Sequence, residues 1–138
     1  MKKILDRSKL AKTVKRKGSN AEREYAKKFR ELGFSHCKTS RLGSKLHDDS
    51  GIDLIFLPFN VQIKAGIQRG LNLSNELKYV KDRMKELFPD TSPEHEYPTI
   101  LIHRKDAGSG KTRDEYKDIV SMTFKDFEKF IKKIEKWN

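Results

Sequence analysis

The chain has 138 residues, enough for one domain with a real core, and its 31 Lys+Arg against 20 Asp+Glu give a formal charge of +11. With aromatics at 9% it is basic without being disordered, and its one cysteine, Cys37, excludes an internal disulfide framework and a cysteine-rich zinc centre. No apolar run reaches the ~18 residues of a membrane helix and no apolar segment follows the charged N-terminus, so a cytoplasmic protein is expected.

Residues 1–17 carry eight Lys/Arg, Lys15, Arg16 and Lys17 among them, against the single acid Asp6. Such a block favours a polyanion, because each phosphate it neutralises releases counterions. The plainer alternative is a solubilising tail. The segment reads as a basic arm that folds only on DNA, with the domain proper in 18–138. Gly18-Ser19-Asn20 then opens a helix in which Ala21, Tyr25, Ala26, Phe29 and Leu32 recur at helical spacing, closed by Gly33.

A strand is expected at 34–40, a polar loop at 41–51, and strands at 52–57 and 61–65. A helix follows at 74–88, with Leu77, Val80, Met84, Leu87 and Phe88 on one face and Pro89 to stop it. Strands at 97–103 and 119–122 precede a last helix from Thr123, whose expected buried stripe is Phe127, Phe130, Ile131 and Ile134. The order αβββαββα suggests an α/β fold, a mixed sheet with helices on its faces.

Glu22 shares its helical face with Tyr25, Ala26 and Phe29, so it points inward, unlike Glu24. Two readings stay open: Ser19-x-x-Glu22 has the form of a capping box, or the carboxylate serves chemistry. Asp53 interrupts the apolar run Ile52-Asp53-Leu54-Ile55-Phe56-Leu57, and burying an unpartnered carboxylate costs several kcal/mol. The next strand offers Gln62 and Lys64 on one face. If the two strands form a hairpin, Asp53 joins that face when the loop has an even count. A two-residue loop, Pro58-Phe59, or a four-residue loop satisfies this, and Pro58 disfavours the tighter turn. An acid, an amide and an ammonium would then suit a hard cation beside a phosphate, or simply an Asp53–Lys64 ion pair. Asp48 and Asp49 compete for the acid's role, although loop acids usually serve turns.

Lys17-Gly18-Ser19-Asn20-Ala21-Glu22-Arg23-Glu24, Gly33-Phe34, Arg41 with Gly43-Ser44, Asp53 and Gln62-x-Lys64 resemble the archaeal Holliday-junction resolvases of the PD-(D/E)xK nuclease superfamily. The resemblance covers residues 16–66. It implies a restriction-endonuclease-like core, Mg²⁺ as cofactor with Mn²⁺ as a substitute, and a homodimer on branched DNA. It also implies that Glu22, Asp53 and Gln62 hold the metal and that Lys64 is the catalytic lysine. Arg23, Arg41 and Ser44 fall near the DNA backbone and the active-site loop. Gln62 stands where most of these nucleases have Glu or Asp; its carbonyl oxygen can still ligate, but the site loses one negative charge.

Gly108-Ser109-Gly110-Lys111-Thr112 lacks the first glycine of a phosphate-binding loop and reads as a plain loop. His36, His47, His95 and His103 show no metal-ligand spacing and read as ordinary histidines. The expected function is therefore metal-dependent hydrolysis of phosphodiesters in branched DNA. The alternatives are another nuclease of the superfamily, acting on duplex, flap or single-stranded DNA, and a non-catalytic basic DNA-binding protein.

Overall fold

The computed structural model describes residues 7–66, 70–105 and 115–135, with side chains between residues 18 and 134. The glycine-rich decoy loop at 108–112 and the side chains of Lys15, Arg16 and Lys17 lie outside the described residues. The first helix differs from expectation. α1 spans Arg7–Glu31, so the helix crosses the anticipated arm boundary and passes through Gly18 without a break. One glycine inside a helix costs only about 1 kcal/mol against alanine, which the alanines and long charged side chains around it offset. Ser19 is therefore not a helix cap. The C-terminus of α1 follows expectation, with Gly33 at φ +114 turning the chain where residues with a Cβ would be strained.

Five strands follow: β1 (Lys38–Thr39), β2 (Leu54–Ile55), β3 (Asn60–Ala65), β4 (Thr99–Arg104) and β5 (Asp118–Ser121). They lie side by side in chain order, with β3 and β4 parallel and the other neighbours antiparallel. The parallel pair requires a crossover, which α4 (Leu73–Leu87) supplies. The fold is thus α/β, a mixed five-stranded sheet flanked by helices. The segment at 41–51, expected to be loop, instead forms two short helices, α2 (Ser40–Gly43) and α3 (Lys45–Asp49). They are too short to show periodicity, and they are held by local contacts: Ser40 N–H donates to Asp53 C=O, and the Ser44 side chain caps α3.

The alternation of β3 splits the core. Val61 and Ile63, with Ile100 and Ile102 of β4, pack under Ala21, Tyr25 and Ala26 of α1, joined by Phe29, Phe34 and Phe59. A second cluster gathers Val80 and Met84 of α4 with Ile52 and Phe88. Glu24 and Arg104, and Tyr25 and Asp118, tie α1 across to β4 and β5. The last helix, α5 (Phe124–Glu135), corrects the expected stripe: Phe130 is half-buried, whereas Phe127, Ile131 and Ile134 are exposed. The side chain that α5 buries completely is Asp126, 0% exposed, which turns the helix so that much of its apolar face meets solvent. No helix among the described residues is long and apolar enough to cross a membrane.

Candidate active site

The hairpin β2–β3 forms the site's floor. Of the two loops the spacing allows, the four-residue one is present, with residues 56–59 between the strands and Leu54 paired with Val61. Gly51, at φ +80, turns the chain into β2 beside Tyr79, Val80 and the Gln62 amide, and its positive φ would strain any residue with a side chain. At Asp53 the ladder becomes irregular. The Asp53 N–H donates to Val61 C=O at 2.7 Å, and the Asp53 carboxylate accepts the Ile63 N–H at 2.7 Å. The side chain is thereby anchored to β3.

Asp53 sits in a field of three charges. Burial pushes its carboxyl up to about 7, the Ile63 N–H works against that, the Glu22 charge adds to it, and Arg41 and Lys64 oppose it. Glu22, Asp53, Arg41 and Lys64 are therefore one electrostatic unit. By contrast, Asp48 and Asp49 are exposed; Asp48 reaches the site only as a charge that raises Glu22.

Glu22 is 4% exposed and resolves the question of its role as a cap: with the helix running through, its carboxylate instead receives the Arg41 guanidinium. Arg41 Nε lies 3.0 Å from one Glu22 oxygen and Nη2 lies 3.0 Å from the other, a fork that matches the carboxylate plane. Arg41 Nη1 also donates to Ser19 Oγ at 3.1 Å, so Ser19 serves the guanidinium. Even so, burial keeps the Glu22 carboxyl above its ordinary value, with Asp48 adding to the effect and Arg41 and Arg23 opposing it. Arg41→Ala should cost roughly 2 kcal/mol of stability at pH 8, where Glu22 would be left charged and unpaired, and less at pH 4, below the ordinary value from which burial raises it, where it takes up a proton. Thermal melts at the two pH values check this; equal losses would contradict the pairing.

Gln62 is 6% exposed, and its carbonyl oxygen Oε1 is buried without any hydrogen-bond partner. Its Nε2 donates to Glu76 Oε2 at 3.4 Å, and Lys64 Nζ lies 3.5 Å from the same oxygen. Glu76, in the first turn of α4, was not anticipated from the sequence. The signal it carried was the one that drew attention to Glu22, an acid on the line of a helix's buried residues, here Val80 and Met84.

Of the other expected contacts, Arg23 is exposed and bonds Asn20, within α1. Ser44 turns away from the carboxylates: its Oγ lies 2.6 Å from His47 Nδ1, and His47 Nε2 lies 3.3 Å from Glu94. His47 is thus not an ordinary surface histidine. With its ring edge-on to Phe88, it latches α3 to the segment before β4.

No protein-family model, curated protein or solved structure matches the chain. The donors themselves must carry the functional argument. Among the described residues no three His, Cys, Asp or Glu side chains form a metal cluster, so a third donor beside Glu22 and Asp53 would be of another kind, for which the amide oxygen of Gln62 is a candidate. These donors are all oxygens. They fit a hard divalent cation, and the orphaned Oε1 is the kind of group such an ion would satisfy.

Proposed function

We propose that the chain is a metal-dependent endodeoxyribonuclease with a restriction-endonuclease-like core, acting on branched DNA in the manner of a Holliday-junction resolvase. The observation that carries this reading is the gathering of Glu22, Asp53, Arg41 and Lys64 into one field, with Gln62, whose Oε1 is buried and unpartnered, joined to Lys64 through Glu76. Glu22, Asp53 and Gln62 would hold Mg²⁺ or Mn²⁺, which supplies Lewis acidity toward the scissile phosphate and its attacking water. Lys64 would hold a phosphate oxygen as negative charge develops there. Burial holds the Asp53 carboxyl up to about 7 without metal, so taking up the cation would displace a proton from it. Arg41 keeps Glu22 in a single orientation.

The charge of +11 supports DNA as the partner, with Lys15, Arg16 and Lys17 on the helix that also carries Glu22 and Arg23. A four-way junction is two-fold symmetric and calls for paired incisions, hence a homodimer. The exposed face of α5, Phe124, Phe127, Ile131 and Ile134, is apolar surface available for such a contact.

The test is incubation with Mg²⁺ and a synthetic four-way junction beside duplex, flap and single-stranded controls. Paired symmetric cuts confined to the junction, lost in Lys64→Ala, are expected. Cleavage that ignores branching would make the protein a different nuclease of the same chemistry. Binding without cleavage in either metal would leave a DNA-binding protein.

A further inference from the structure

The unanticipated carboxylate of Glu76 bears on the one departure from the resolvase pattern, the glutamine at 62. An amide side chain can lie in two orientations that exchange its oxygen and nitrogen, and its shape does not choose between them. A carboxylate chooses. Being acceptor-only when ionised, Glu76 Oε2 at 3.4 Å must face the Nε2 donors, and this sends Oε1 to the buried position where it has no partner. The same Oε2 lies 3.5 Å from Lys64 Nζ, so one oxygen holds both the amide and the ammonium.

Glu76 is fixed in turn. It sits in the first turn of α4, whose N-cap Asn72 accepts the Asn75 N–H, and the helix is anchored by buried Leu77, Val80 and Met84. Its side chain is 30% exposed and that of Lys64 29%, so the pair lies at the edge of the buried site and not in bulk water.

We propose that Glu76 is a positioning residue that compensates for Gln62: it locks the amide with its carbonyl oxygen presented as a metal ligand, and it restores beside Lys64 the negative charge that the glutamine lacks. This rests on the metal-site reading above. The plainer role for Glu76, an acid favoured near a helix N-terminus, would be indifferent to residue 62.

That difference makes a double-mutant cycle decisive. Mn²⁺ binding to the full chain is measured by titration calorimetry for wild type, Glu76→Ala, Gln62→Glu and the double variant, with circular dichroism to confirm folding. Glu76→Ala should weaken Mn²⁺ about tenfold when residue 62 is glutamine, the range seen when a residue orienting a metal ligand is lost. With glutamate at 62 neither orientation nor compensation is needed, and the same change should cost less than about threefold. Should the alanine variant lose its fold, Glu76→Gln replaces it in the cycle, with the same inequality expected. Equal losses in both backgrounds would overturn the proposal while leaving the metal site standing. No Mn²⁺ binding by wild type would overturn the metal-site reading, and this proposal with it.

Discussion

Replacing Asp53 by asparagine should abolish junction cleavage and, at the same time, raise the melting temperature above neutral pH. The loss of activity is expected to reach about a thousandfold or more, because the variant removes charge from the centre of the donor set where transition-state electrostatics act. The gain in stability follows from burial. The Asp53 carboxyl has its proton affinity raised to about 7 in the folded protein, against 3.8 ordinarily, so the native state keeps a proton that the unfolded chain has already released. Stability therefore falls as pH rises between those two values, and above the upper one the buried charge carries its full penalty. Asparagine stays neutral and can still accept the Ile63 N–H through its carbonyl oxygen. The variant should match wild type near pH 4 and exceed it by about 2 kcal/mol at pH 8, after discounting the full shift for partial solvent access. Added Mg²⁺ should narrow the gap by stabilising only wild type. Melts across this pH range check the effect; a variant less stable at pH 8 would mean that the carboxylate is paired well enough to hold the fold together.

Asp126 is the opposite kind of buried acid, and its removal should give the largest stability loss in the molecule. Its side chain is 0% exposed and accepts the Thr99 N–H at 3.0 Å, with Lys81 Nζ at 2.8 Å and Lys129 Nζ at 3.5 Å. Those partners outweigh desolvation and hold the carboxyl below its ordinary value. Asp126→Ala would leave the Thr99 N–H unsatisfied at the start of β4 and unlock α5 from both β4 and α4, at a cost of about 3 kcal/mol at pH 7. A group with a depressed folded value stabilises above its unfolded value of 3.8 and loses that contribution as pH falls further. The difference between wild type and variant should therefore be flat from pH 8 to 5 and shrink only in acid. Urea titrations at pH 7 and pH 3 measure it, and a loss that is unchanged at pH 3 would contradict the ionised clamp.

Asp126 also shows where the sequence was hard to read. The apolar spacing of Phe127, Phe130, Ile131 and Ile134 is helical whichever way the helix is turned, and what turns it is an acid whose partners lie 27 and 45 residues away in the chain. The β2–β3 hairpin was legible because its information is local: the proline in the loop and the alternation of Gln62 and Lys64 suffice to select the four-residue connection. Glu22 was legible as an inward acid but not as the partner of Arg41, since that contact spans the turn at 33–37 and β1. Glu76 was missed because its meaning depends on packing α4 over β3, and no spacing within one element encodes that. The reading failed most plainly at Gly18-Ser19-Asn20, where helix-breaking and capping signals were overridden by the helix-forming residues on either side.

That uninterrupted α1 has a mechanical consequence. Its backbone advances about 1.5 Å and turns about 100° per residue, so Arg7 stands roughly 22 Å along the axis from Glu22 and in a fixed rotational phase with it. From Arg7 onward the basic segment thus shares one continuous helix with the Glu22 carboxylate. Lengthening it by one residue would turn the preceding backbone about 100° around the axis relative to Glu22, and about four residues would bring it nearly back into line.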